Sequence, residues 1–127
     1  MIGYITVGTN NLQRAAEFYD ALFAELGAGR FMEMDSFIAW AVNPAAPAFS
    51  VTKPFDGNPA SVGNGVMIAL AVDSPDKVDA LYAKALELGG KDEGAPGPRS
   101  DSFYAGYFRD LDGNKLNVFC TRQSEAP

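Results

Sequence analysis

Six side chains with chemical potential lie at alternate positions of short, mostly apolar segments. They combine hydrogen-bonding groups with a thioether and an aromatic ring, and they are Tyr4, Thr6, Ser50, Met67, Asn117 and Phe119. Alternate side chains of a β-strand point to the same face, so each segment would present its members together. Hydroxyl and amide groups can orient a ligand, while the thioether and the ring supply apolar contact. This set predicts a small-molecule binding surface, although the same residues could instead pack against one another and fill the space.

Nucleophilic chemistry has little support, because the chain contains no histidine and a single cysteine, Cys120. A nucleophilic cysteine normally needs an adjacent base, and Cys120 lies in an apolar run that favours a buried small side chain. One cysteine cannot form an internal disulfide, which fits a reducing compartment. The sequence therefore identifies no catalytic residue, and we expect a cytoplasmic location.

Charged residues in predicted loops and strands leave two questions open. Glu33 and Asp35 alternate with two methionines, and Glu33 could act as a hydrogen-bonding group or base if its face were concave. Otherwise this is a solvated acidic face or a dimer edge. Arg30 and Arg99, flanked by glycine and proline, could recognise an anionic group or could simply be solvated.

Aromatic residues of the predicted strands are candidate walls for a binding surface, or contribute to the core or a dimer contact. They are Phe37, Trp40, Phe103, Tyr104 and Tyr107.

The elements that position these side chains follow one plan in both halves of the chain. An offset of 63 residues superimposes Ile5 on Ile68 and Tyr19 on Tyr82. Apolar residues at steps of three and four predict one helix in each half. Asn10 or Asn11 can cap the first helix and Gly27 can end it, while residues 73–75 carry a helix-start signal with proline in the first turn.

Strand-like alternation follows each helix. In the first half it predicts three strands, at residues 30–35, 36–42 and 48–53. In the second half, residues 103–109 and 115–121 are predicted strands joined by a turn. A strand near Lys91 is predicted to be weak, because residues 94–98 are rich in glycine and proline.

These elements predict an α+β domain built from two βαβββ modules. We expect one domain over residues 1–123, with module one at about residues 1–54, a linker at 55–64 and module two at about 65–122. Each sheet would have one face covered by its helix, and the other faces would curve around a shared cavity.

Composition narrows the possible partners. Apolar residues make up 47% of the chain, which argues against disorder, and the net charge of −6 suits solubility or, less strongly, a cationic ligand. Lysine and arginine do not cluster along the sequence, so neither nucleic acid nor an anionic membrane is an expected partner. No apolar run approaches the ~18 residues of a membrane-spanning helix, and no signal-peptide pattern precedes the first strand.

Two motifs carry a resemblance to a known family. The segment Phe18-Tyr19-Asp20 carries the aromatic pair of the first predicted helix, and Arg109-Asp-Leu-Asp-Gly-Asn114 precedes the last strand. Together with the duplication, they make about residues 2–121 resemble the vicinal-oxygen-chelate superfamily of glyoxalase/bleomycin resistance/dioxygenase type. The resemblance implies paired βαβββ modules, often in a homodimer, with a metal site or ligand pocket on the concave faces.

The family's metal ligands are mostly His and Glu, and the resemblance places the corresponding positions at Tyr4, Ser50, Met67 and Asn117. These four groups are neutral at pH 7, whereas divalent ions in proteins are held by carboxylates, imidazoles or thiolates. We therefore expect no metal and no other cofactor.

Three functions remain open. The first is binding or sequestration of a small organic molecule without the usual metal. The second is a glyoxalase-like lyase, isomerase or dioxygenase that uses a shifted metal or metal-free chemistry by Tyr4 or Glu33. The third is a structural dimer with a filled core. The fold does not decide among them.

Overall fold

Ten elements form in the order that the duplication predicts, and the α+β architecture of two βαβββ modules is confirmed. The computed structural model describes residues 1–121, so the predicted ends of module two and of the domain, at residues 122 and 123, lie outside the described residues. The elements are β1 (Tyr4–Gly8), α1 (Leu12–Ala24), β2 (Gly29–Met34), β3 (Phe37–Ala41), β4 (Ala48–Thr52), β5 (Ile68–Ala71), α2 (Pro75–Glu87), β6 (Lys91–Ser100), β7 (Phe103–Arg109) and β8 (Lys115–Thr121).

The described chain divides into two compact units. The first comprises Met1–Asn64 together with Leu111–Asn114, and the second comprises Gly65–Asp110 together with residues 115–121. That both units belong to one domain remains a prediction. None of the helices within residues 1–121 is long and apolar enough to cross a membrane.

The first unit holds a sheet in the order β1-β4-β3-β2, in which β1 runs parallel to β4 and the other neighbours are antiparallel. Helix α1 begins where the Asn11 side chain accepts a hydrogen bond from the Arg14 backbone N–H at 3.0 Å. It closes before Gly27, whose φ of 71° is accessible to glycine at little cost. The three strands of the sheet after α1 start and end within one residue of their predicted limits.

Aromatic packing under α1 holds this unit together. The ring centroids of Tyr19 and Phe49 are 4.7 Å apart, those of Phe23 and Phe49 are 5.1 Å apart, and that of Trp40 lies 5.7 Å from Tyr19. All four side chains are buried. Truncation of one such ring to alanine typically costs about 3–5 kcal/mol. Trp40 and Phe49 therefore mark the helix-covered face of the first sheet.

The second unit repeats the topology, with strand order β5-β8-β7-β6. The Ser74 side chain accepts a hydrogen bond from the Lys77 backbone N–H, and Pro75 occupies the first turn of α2. An apolar stripe of α2 is buried against one side of the sheet, where strand residues of β7 and β8 are equally buried. The helix contributes Val78, Leu81 and Ala85, and the two strands contribute Phe108, Leu116 and Val118.

Strand β6 differs most from its prediction. The sequence predicts a weak strand, whereas β6 is ten residues long and pairs with β7 through three register shifts, the first between Asp92 and Gly94. Strand β6 lies at the edge of its sheet, and on its outer side no neighbouring strand needs the N–H group that proline lacks. The bulges accommodate the extra residues of β6. Its glycines and prolines thus shape the strand without ending it.

Candidate functional site

Each sheet has one face covered by its helix and a second, which we call the open face, turned away from it. On the first open face, Thr6 is registered beside Ser50, and Ser50 beside Ala39. Met32 pairs with Ala39 and therefore shares this face. The alternation predicted for Tyr4, Thr6 and Ser50 thus places all three on the open face of the first unit.

Ser50 is buried at the centre of that sheet, and its hydroxyl is already engaged. Its Oγ donates to the Ile5 carbonyl at 2.6 Å and lies 2.7 Å from the Thr6 Oγ1. Because the single Ser50 proton goes to Ile5, the Thr6 hydroxyl is the donor in the second bond. Ser50 therefore ties β1 to β4, and it has no proton left to donate to a ligand.

An apolar cavity of about 520 Å³ lies beside these residues on the first open face. Its principal side chains are aromatic or sulfur-containing, and several are strongly exposed: Tyr4, Phe31, Met32, Met34 and Phe37. The Tyr4 and Phe37 rings meet edge to face, with centroids 6.3 Å apart. The sequence pattern singles out Tyr4 and Phe37 but not Phe31, whose side chain is placed at the cavity by the register shift between Arg30 and Met32.

The charged residues of β2 lie on the other side. Glu33 is registered with Ile38 and Arg30 with Trp40, so both belong to the helix-covered face. The possibility that Glu33 shares a face with Tyr4 is therefore wrong, because Glu33 alternates with the open-face methionines. Arg30 forms an ion pair with Glu33 at 3.3 Å. Asp35 lies in the turn between β2 and β3.

Asp20 organises the end of this charged edge. Arg30 donates to both of its carboxylate oxygens, at 2.9 and 2.7 Å, and the Trp40 indole N–H donates at 2.8 Å. The Arg30 hydrogen bond is the main reason that the pKa of Asp20 lies below its ordinary value, and the Trp40 bond acts in the same direction. Arg30 and Trp40 thus form a structural cluster on the helix-covered side of the sheet, away from the cavity.

On the second open face, Ala69, Tyr107 and Phe119 flank Asn117. Asn117 is buried, and its Nδ2 donates to the Gly106 carbonyl at 3.1 Å. Phe119 stacks on Phe103, with centroids 5.2 Å apart.

Met67 and Tyr104 are the remaining candidate residues of the second unit. Met67 lies one residue before β5 and is substantially exposed. Tyr104 lies on the helix-covered face, where its hydroxyl donates to Asp79 of α2 at 2.7 Å.

Cations that are distant in sequence meet on this second open face. Lys91 pairs with Arg109, and Arg109 pairs with Lys115, so the three form a row across β6, β7 and β8. Arg99 reaches the ring of Tyr107 from the edge strand. Lysine and arginine residues that do not cluster along the sequence therefore do cluster in space, because antiparallel pairing brings separated residues together.

The turn between β7 and β8 has a structural role inside the first unit. Asp112 accepts a hydrogen bond from the Thr9 hydroxyl at 2.6 Å and another from the Asn10 backbone N–H at 2.9 Å. Asn114 donates through Nδ2 to the Gly8 carbonyl at 3.0 Å. These contacts fix the connection between β1 and α1. The motif that carries the resemblance thus positions backbone and does not present a reactive group.

The four positions that correspond to family metal ligands offer a phenol and a hydroxyl in the first unit, and a thioether and an amide in the second. Ser50 and Asn117 use these groups in the hydrogen bonds described above. Within residues 1–121, no group of three or more His, Cys, Asp and Glu side chains is arranged to hold a metal ion.

Comparisons with known proteins agree with this architecture. The chain is similar to a glyoxalase/bleomycin resistance protein from Albidiferax ferrireducens T118, with 37% identity and a TM-score of 0.88 over 96% of this chain and 99% of that one. A lactoylglutathione lyase from Agrobacterium tumefaciens shares the fold at 18% identity and a TM-score of 0.71, over 94% of this chain and 92% of that one. The fosfomycin resistance protein FosX from Mesorhizobium loti does so at 17% identity and a TM-score of 0.71, over 98% and 95%.

No curated protein matches the chain. The family model described as Glyoxalase/Bleomycin resistance protein/Dioxygenase superfamily matches residues 1–118. The predicted resemblance is therefore confirmed, and the chain belongs to the glyoxalase/bleomycin resistance protein/dioxygenase superfamily.

Proposed function

We propose that this protein binds a small organic molecule on the open faces of its sheets, and that it does so without a divalent metal. The observation that carries the proposal is the apolar cavity of the first unit. Its volume of about 520 Å³ falls within the range of roughly 300–1,000 Å³ typical of ligand pockets. Phe31 is 51% exposed and Met34 is 55% exposed, so the lining is accessible.

The side chains in this cavity suit a largely apolar ligand body. Tyr4 is 65% exposed and can both stack and hydrogen-bond through its phenol. Thr52 also lines the cavity, but its hydroxyl already lies 3.0 Å from the Ser36 carbonyl. In the second unit we propose Met67 and Phe119 as contact residues. Thr6, Ser50 and Asn117 then contribute chiefly by shaping the two surfaces.

A metal at the family positions is disfavoured by the donors themselves. A divalent ion gives up hydration on binding and requires anionic or strongly coordinating groups in return. Ser50 offers a neutral hydroxyl that already bonds to Ile5 and Thr6, and Asn117 offers a neutral amide oxygen, so neither supplies the charge or the imidazole nitrogen that would replace that hydration. The family's metal does not fit this set of residues, so we derive no reaction step through it.

Lyase and dioxygenase names belong to the relatives. For this chain, the placement of Glu33 on the helix-covered face leaves Tyr4 as the remaining candidate for metal-free chemistry on the first open face. The described residues that line the cavity beside Tyr4 include no carboxylate or amine, and a phenol without a base beside it is a weak proton acceptor. Binding is therefore the better-supported function.

We also propose a homodimer, as the family resemblance implies. Strand β2 lies at the edge of its sheet, and all six of its residues are exposed. The outer backbone groups of β2 have no strand partner within residues 1–121, so a second copy of the chain can pair along this edge. Light scattering at micromolar concentration should give twice the chain mass of 13.5 kDa. The monomer mass at all concentrations would refute the dimer.

A thermal-shift screen of apolar metabolites and antibiotics tests the binding function. A ligand present at 100 times its Kd should stabilise the protein by about 2.7 kcal/mol. Phe31→Ser should abolish the shift, whereas Phe55→Ser, which removes a fully exposed ring from a loop, should leave it unchanged. Loss of the shift in both variants, or in neither, would contradict the assignment of the cavity.

A further inference from the structure

The second open face concentrates positive charge in an otherwise acidic protein. The chain has 10 basic and 16 acidic residues, yet Lys91, Arg99, Arg109 and Lys115 all reach this one surface. Lys91, Arg109 and Lys115 occupy paired positions on three neighbouring strands, so their side chains leave the sheet on the same side. Like charges directly opposite one another destabilise a sheet, so a bound negative charge would stabilise such a row.

The described carboxylates supply little of that counter-charge. Glu93 accepts from the Arg109 Nε at 2.7 Å and neutralises that residue. Its neighbour Asp92 lies on the helix-covered face, where it accepts from the Tyr82 hydroxyl at 2.7 Å. Over residues 1–121, Lys91, Arg99 and Lys115 form no ion pair. Counted over the described residues, the face therefore keeps a net positive charge.

Two of these cations are held around one aromatic ring. The Arg99 guanidinium carbon lies 5.4 Å from the centroid of the Tyr107 ring, and the Lys115 Nζ lies 5.6 Å from it. Arg99 is fixed further by two hydrogen bonds, from Nη1 to the Gly97 carbonyl at 3.0 Å and from Nη2 to the Ala95 carbonyl at 2.7 Å. A guanidinium has five N–H donors, and contacts within residues 1–121 use two of those of Arg99. The guanidinium is therefore held in position while some of its N–H donors are still available.

We propose that this surface binds the anionic group of an organic ligand, a carboxylate or a phosphonate-type oxyanion, between Arg99 and Lys115. The stacked rings of Phe103 and Phe119 lie on the same face and would contact the apolar body of that ligand. The inference rests on the proposed binding function, whose residue Phe119 belongs to this face. The ligand inferred here is anionic, whereas the overall negative charge of the protein suggests a cationic one.

The test compares phenylacetate and phenylphosphonate with the neutral amide phenylacetamide, by amide chemical-shift titration of the full chain. Both anions should bind about tenfold more tightly than the amide, and the largest shifts should fall at Tyr107 and Lys115. Added salt should weaken the two anions but not the amide. Inorganic phosphate, which has no apolar body, serves as the probe of the anion site alone.

The double variant Arg99→Gln/Lys115→Gln should bind acid and amide equally. Its matched control, Lys77→Gln/Lys84→Gln, removes two cations from α2 and should keep the preference. An unchanged thermal midpoint verifies that both variants fold.

Equal binding of acid and amide by the unmodified protein, or a preference that survives in Arg99→Gln/Lys115→Gln, would overturn the anion site and leave the proposed function standing. Phosphate binding at Tyr107 without binding of any organic probe would uphold the anion site and count against the proposed function.

Discussion

Replacing Asp112 by alanine should destabilise the protein far more than its place in a surface turn would lead one to expect. The carboxylate accepts from the Thr9 hydroxyl and from the Asn10 backbone N–H, and its side chain is only 3% exposed. Arg14 adds an ion pair at 3.6 Å from a half-exposed position, which contributes little.

The magnitude follows from the two hydrogen bonds. Bonds to a charged acceptor contribute about 1.5–3 kcal/mol each. The Thr9 hydroxyl can compensate in part, because it also lies 3.1 Å from the Asn11 carbonyl. We therefore expect Asp112→Ala to lower the free energy of unfolding by about 2–3 kcal/mol, and the thermal midpoint by roughly 6–12 °C.

Urea unfolding measured by circular dichroism tests this value. Asp112→Asn keeps one acceptor oxygen and should lose about half as much. Asp73→Ala removes a carboxylate that is 77% exposed and should change the stability by less than about 0.5 kcal/mol. If Asp112→Ala were as mild as Asp73→Ala, the structural role assigned to the turn motif would be refuted.

Three further predictions concern packing and pH. Gly90→Ala should cost about 1–3 kcal/mol in urea unfolding, because its new Cβ would lie 2.8 Å from two backbone carbonyl oxygens, whereas Gly29→Ala meets nothing within 4 Å and should be neutral. Burial, aided by a hydrogen bond, raises the pKa of Tyr82 from 10.0 to about 12, so its contribution is complete below pH 10 and is lost as the pH rises to about 12. Tyr82→Phe should flatten the fall of the urea midpoint in that window, and an unchanged profile would contradict this. The Arg30 hydrogen bond lowers the pKa of Asp20 below 3.8, so its contribution is present above that pH and is lost in more acidic solution. Asp20→Asn should flatten the acid limb of the same profile, and an equally steep limb would show that other carboxylates control it.

The sequence was most informative where local chemistry decides the structure. Asn11 and Ser74 cap the helices because their short oxygen-bearing side chains reach the first free N–H groups. Alternation predicts that Tyr4 and Thr6 share a face, and the register of β1 with β4 agrees with this. The length of β6 was underestimated, because glycine and proline in a sequence do not show whether the strand lies at the edge of its sheet, where they are tolerated.

The site was less predictable, because it depends on pairing between distant segments. Which face receives Glu33 depends on the register between β2 and β3, and a shift by one residue exchanges the two faces. The engagement of Ser50 with Ile5 and Thr6 requires β1 beside β4, a neighbourhood that composition does not reveal. The basic surface around Tyr107 likewise exists only once β6, β7 and β8 are in register.

The most direct test of the central claim is to titrate a ligand identified in the thermal-shift screen into protein that has been dialysed against a chelator. Calorimetry should give the same Kd before and after dialysis, and after addition of Zn²⁺, Mn²⁺, Ni²⁺ or Fe²⁺. Binding that disappears on chelation and returns with one equivalent of any of these ions would contradict metal-free binding.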